Sequence, residues 1–132
     1  MATMEALQKQ MNNESETIKG VREKKAVLVS QRHQLFSQVT ENDLVRKELL
    51  HLEPDATVFK LIGPVLVSQD LSDANAVVEK RLEYLNAEVL RVDRLIKDHD
   101  AKEDTIENKM LEIQRQAQEL SKRMQAAAGG QK

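Results

Sequence analysis

Apolar residues recur along most of this chain in alternating steps of four and three. That rhythm lines one stripe of an α-helix against a partner helix. From Leu7 the stripe runs through Met11, Glu14, Ile18, Val21, Lys25, Leu28, Arg32, Leu35, Val39, Asn42, Arg46 and Leu49. Its polar members make it a seam with defects. A second stripe starts at Val78 and takes in Leu82, Leu85, Val89, Val92, Ile96, His99, Glu103, Ile106, Met110, Ile113, Ala117, Leu120 and Met124. Only His99 and Glu103 break it, so the second helix has the cleaner seam. The pattern predicts helices over about residues 5–52 and 72–125, each on the order of 70 Å long at about 1.5 Å per residue. Pro54 sets the first end, because a proline pushes the residue before it out of helical geometry. Asp70, Ser72 and Asp73 are all candidate caps for the second start. Gly20 weakens the first helix by about 1 kcal/mol relative to alanine. Residues 126–132 are expected to form a flexible tail.

Between the stripes lies Val58-Phe59-Lys60-Leu61-Ile62-Gly63-Pro64-Val65-Leu66-Val67. Its period and length do not suit a helix. Val58, Phe59, Val65 and Val67 favour strands, and Gly63-Pro64 is a turn signal. The segment therefore predicts a short β-hairpin over about residues 57–68. A lone two-stranded hairpin is marginal in water. Open edges and two largely apolar faces predict that it pairs with hairpins of other subunits. The alternative is a hydrophobic linker that packs on its own helices.

Two helices of matched length joined by a short element predict an antiparallel coiled-coil helical hairpin. Folding the chain about Gly63 brings seam residues face to face when their numbers add to roughly 127. Leu7 then meets Leu120, and Leu49 meets Val78. The defects coincide as well: Lys25 and Arg32 fall level with His99 and Glu103. A Lys25–Glu103 pair across the seam would set the register; separately solvated defects are the other reading. The expected fold is mainly α, a single domain over residues 1–132 with one short β-hairpin at the connection.

Composition narrows the function. Aromatics make up 2% of the chain and charged residues 32%, which suits long helices with narrow seams better than a thick core. The net charge of −2 gives no field that favours nucleic acid or an anionic membrane. Arg22, Lys24 and Lys25 surround Glu23 and extend no basic region of the kind a zipper-type DNA binder carries. With no cysteine, disulfides and thiolate metal sites are excluded. His99 and Glu103 are one turn apart, but two ligands do not make a metal site. Neither a Gly-rich phosphate loop nor a nucleophile–base–orienter set can be assembled. No run reaches the roughly 20 apolar residues that span a bilayer, and the N-terminus lacks a signal-peptide pattern. These features predict an intracellular binding protein without catalysis, metal or cofactor.

The five methionines, Met1, Met4, Met11, Met110 and Met124, all fall toward the end where the helices would open. Methionine suits surfaces that accept many partners. Leu7, Met11, Ile113, Leu120 and Met124 form an apolar strip there. It either grips a disordered apolar segment or closes against itself.

The central segment, with Thr40-Glu41-Asn42-Asp43-Leu44-Val45 and Glu48-Leu49 before it and Lys80-Arg81-Leu82-Glu83-Tyr84 after it, resembles the β-type subunits of prefoldin. The likeness is specific over about residues 39–88 and greatest to the eukaryotic sixth-subunit branch of the family. The outer coil shares only its pattern. This resemblance implies a hetero-hexamer of two α-type and four β-type subunits whose hairpins join in an inter-subunit β-barrel. It implies an ATP-independent holdase that captures unfolded actin- or tubulin-like clients at coiled-coil tips. It also implies delivery to a group II chaperonin in the cytoplasm. On this chain, assembly would fall to Val58, Phe59, Leu61, Ile62, Val65, Leu66 and Val67, with Gly63 at the turn. Client contact would fall to Leu7, Met11, Ile113, Leu120 and Met124. Two other readings stay open: a structural coiled-coil tether, and a subunit of a prefoldin-like complex tied to assembly of nuclear machines.

Overall fold

The computed structural model describes residues 3–129. Its elements are helix α1 (Met4–Leu50), strand β1 (Val58–Ile62), strand β2 (Val65–Gln69) and helix α2 (Leu71–Gly129). Thr3 caps α1: its hydroxyl accepts the Ala6 N–H at 3.1 Å, and its carbonyl accepts the Leu7 N–H. The helix ends at Leu50, two residues before the expected end. His51 and Leu52 bond back only three residues, to Glu48 and Leu49, which tightens the last turn. Glu53 to Ala56 then makes a β-turn with Pro54 at its first central position, closed by the Ala56 N–H on the Glu53 carbonyl. Asp70 precedes α2, and its carbonyl accepts the Ala74 N–H at 2.9 Å; Ser72 and Asp73 lie inside the first turn. α2 runs past the expected end at residue 125. Ala126, Ala127 and Ala128 are the best helix formers available, so they extend the helix rather than fray. The expected tail over residues 130–132 lies outside the described residues.

Two compact units are distinguished. One holds α1 through Leu28 and α2 from Leu95 onward; the other is Val29–Arg94. In the first, Leu7, Ile18 and Ile106 are buried, while Met11, Val21, Leu28, Ile96, Met110, Ile113, Ala117 and Leu120 are half-buried along the same stripe. In the second, Leu49, Ala74, Val78 and Leu82 form the core cluster, with Val39, Val58 and Leu71 packed against it. Leu85 and Val92 are buried further along α2. Within each unit the buried positions are those that the alternating period marks. Ala74 is an addition, small enough for the helices to approach closely.

The two strands pair antiparallel, from Val58 opposite Gln69 to Ile62 opposite Val65. The loop is the two residues Gly63-Pro64. Gly63 has φ of 58°, and no non-glycine residue has positive φ among those described. Positive φ at the first central position alone is the pattern of a type II′ turn, whose twist matches the strands. A side chain at Gly63 would have open space but a strained backbone.

Candidate functional site

The hairpin presents a surface that its own chain leaves open. Strand alternation puts Phe59, Leu61, Leu66 and Ser68 on one face, and Val58, Lys60, Ile62, Val65, Val67 and Gln69 on the other. Phe59 is 59% exposed and Leu61 68%, and Ile62, Val65 and Leu66 are also more than half exposed. With Ile62 and Val65 flanking a two-residue loop, hydrogen-bonded pairs alternate from there. Phe59 and Leu61 on one edge, and Leu66 and Ser68 on the other, therefore aim their backbone N–H and C=O groups outward. Val58 differs from the other residues expected to serve assembly. It is half-buried against Leu49, Ala74, Val78 and Leu82, and so anchors the sheet on the helix core.

The expected client strip divides. Leu7 is buried, with 2% exposure, so the helices are closed at its level. Met11, Ile113 and Leu120 are half-buried, and Met124 is 57% exposed. Met1 lies outside the described residues. Beside the strip is an open groove of about 460 Å³ lined by Met11, Ile18, Arg22, Glu107, Met110, Leu111 and Gln114. Leu111, 63% exposed, supplies apolar surface there that the seam pattern does not mark. It lies off the four–three stripe, where only its apolarity next to Met110 could have flagged it.

The polar interruption of the seam is a network. Lys25 Nζ lies 3.5 Å from Glu103 Oε2 and also pairs with Asp100. Arg22 reaches Glu103 at 3.4 Å and Glu107 at 3.0 Å. The Lys25–Glu103 pair is thus present as the register requires, joined by Arg22, Asp100 and Glu107, which the seam count does not include. Hydrogen bonding to Asp100 and the nearby carboxylate charges hold the Lys25 ammonium above the ordinary lysine range. In the other unit Arg32 pairs with Asp93. The His99 ring is engaged by its own helix, with Nδ1 2.8 Å from the Leu95 carbonyl oxygen.

A family model for prefoldin subunits matches residues 13–126. The chain belongs to the prefoldin family. It is 38% identical over 123 residues to prefoldin subunit 6 of Arabidopsis thaliana, covering 90% of this chain and 92% of that one. With prefoldin subunit 6 of Homo sapiens it shares 36% identity over 126 residues, covering 96% and 95%. In fold it resembles the crystal structure of the prefoldin beta subunit from Thermococcus strain KS-1, with a TM-score of 0.62 at 21% identity over 84% of this chain and 91% of that one. The family match takes in the hairpin, the ion network and most of the apolar groove, so these features sit within the prefoldin part of the sequence. Among the described residues, no helix is long and apolar enough to cross a membrane.

Proposed function

We propose that this chain is a β-type subunit of a hetero-hexameric, ATP-independent holdase that acts in the cytoplasm. Its partners are α- and β-type prefoldin subunits, unfolded actin- or tubulin-like clients and a group II chaperonin, with no role for catalysis, cofactor, nucleic acid or membrane. The observation that carries this reading is the hairpin: five apolar side chains more than half exposed and two open edges, in a chain of the prefoldin family. Exposed strand edges of this kind pair with other strands. The hairpins of six chains would close them in a shared barrel, through Phe59, Leu61, Ile62, Val65, Leu66 and Val67, with Val58 fixing the sheet to the helices.

Clients would bind at the groove of Met11, Met110 and Leu111 and at Met124, with Ile113 and Leu120 beneath. Each contact is weak, and several tips acting together supply avidity, so release needs no nucleotide. A fixed coiled-coil tether is favoured by one observation, the burial of Leu7, because a tip closed at that level offers less surface. In the holdase reading Leu7 holds the helices together and its neighbours meet the client. A photo-crosslinking amino acid at Met124 in the assembled complex tests this. Crosslinks to denatured actin are expected. Their absence, in a complex that still suppresses actin aggregation, would remove client contact from this tip.

A further inference from the structure

The unit containing the hairpin has a second uncovered apolar surface. With the seam residues taken as heptad positions a and d, Val45 occupies g, and Val77 and Tyr84 occupy c. Leu52 lies seven residues after Val45, on the turn that still bonds back to Leu49. In an antiparallel pair the g and c positions of both helices share one flank. The register that brings Leu49 and Val78 into one core sets Val45 near Tyr84 and Leu52 near Val77. All four side chains are exposed, Tyr84 by 65%. The opposite flank of the same unit also exposes Val29, Phe36, Leu50 and Leu90, but these are interspersed with the Arg32–Asp93 pair and with a groove that has Asp43, Arg46, Glu79, Glu83 and Asn86 in its walls.

We propose that the Val45, Leu52, Val77 and Tyr84 flank is a second contact surface for a neighbouring prefoldin subunit, which lays apolar residues from beside its own hairpin onto it. The proposal rests on the assembly reading and specifies which helix surface takes part. Size supports this occupant. A stable interface takes about 20–30 residues a side, and the two five-residue strands must serve two edges. The hairpin alone falls short, and the flank supplies surface in continuity with it. Val58 anchors the sheet on the core formed by Leu49 and Val78, and Leu52 and Val77 flank that same core. The rim also suits a chain built alike. Glu41 and Glu48 stand exposed at c positions on the α1 side of this flank, and Arg81 stands exposed at g between Val77 and Tyr84 on the α2 side, so one subunit's acidic side can meet the next one's basic side.

The test is dissociation of the complete reconstituted complex on dilution, followed by native mass spectrometry. Tyr84→Glu and the uncharged Tyr84→Gln keep good helix formers at an exposed position. Both should raise the concentration at which the complex falls apart, Tyr84→Glu by roughly tenfold or more. Phe36→Glu, at a comparably exposed position on the opposite flank, should change it by less than about twofold. Unchanged dissociation in both Tyr84 variants would overturn the proposal while leaving the hairpin's role standing, as would an equal effect from Phe36→Glu. If the unaltered chain enters no complex with prefoldin subunits, the assembly reading fails and this proposal fails with it.

Discussion

Phe59→Asp places a carboxylate on the hairpin face shared with Leu61 and Leu66. In the free chain this should matter little. Phe59 is 59% exposed, and strand propensities span only about 1 kcal/mol. In the assembled complex the account buries the rest of the ring. Full burial of such a side chain is worth about 1.5–3 kcal/mol, and roughly three-fifths of it remains to be gained, so about 1–2 kcal/mol is lost. An unpaired buried carboxylate adds several kcal/mol of desolvation. The combined penalty is on the order of 4–6 kcal/mol, or roughly a thousand- to ten-thousandfold in association. Phe59→Asn separates the two parts: it loses the ring but carries no charge, and should weaken assembly by an intermediate amount. The assay is reconstitution with partner subunits over a concentration series, read by native mass spectrometry, with circular dichroism on the free chain as control. An intact complex containing Phe59→Asp at ordinary concentrations would refute the burial of this face. Unfolding of the free chain would show instead that Phe59 supports the chain's own fold.

Three further outcomes follow from the same structure. Lys25→Glu and Glu103→Lys should each lower the melting temperature, and the double swap should restore part of it, because Asp100 and Arg22 stay in place as local mismatches; no recovery would sever the pair from the register. Gly20 and Gly63 both have open space where a methyl group would sit, but only Gly63 has positive φ, so Gly20→Ala should stabilise by about 0.5–1 kcal/mol and Gly63→Ala should destabilise the hairpin by about 1–2 kcal/mol, as measured by denaturant melts and by assembly affinity. Stability should decline at both pH extremes: the Lys25 contribution is complete below the ordinary lysine value and lost as pH rises from there through the raised folded-state value, while Asp43, Glu88 and Glu112, held low by hydrogen bonds from Lys47, Arg91 and Arg115, keep theirs above the ordinary carboxylate values and lose it as pH falls through their lowered values. The alkaline loss should shrink in Lys25→Gln; an unchanged alkaline limb would show that this lysine does not contribute.

Periodicity accounts for what was legible in the sequence. Burial in a two-helix seam repeats every three and four residues, so spacing alone picks out Leu7, Leu49, Val78 and Ile106. The hairpin is legible because its period breaks that rhythm and Gly63-Pro64 can turn only a short loop. The register is legible because charged defects on one helix need partners on the other, as Lys25 and Glu103 have. Flank positions are not. Leu111, Val45, Val77 and Tyr84 lie off the stripe, and their exposure depends on how wide a surface each helix covers on its partner. An opened tip is not what the burial of Leu7 shows, since pairing continues as far as α1 provides a facing turn. The end of α2 escapes the seam pattern because it is set by propensity: three alanines carry the helix on after the last apolar seam residue, Met124.

The central claim is that this chain works as one of several different prefoldin subunits. Native mass spectrometry of the tagged chain, purified from its own cells, tests it most directly. The account predicts a six-chain assembly containing several distinct small coiled-coil subunits. A homodimer, or a complex with one large unrelated partner, would contradict it.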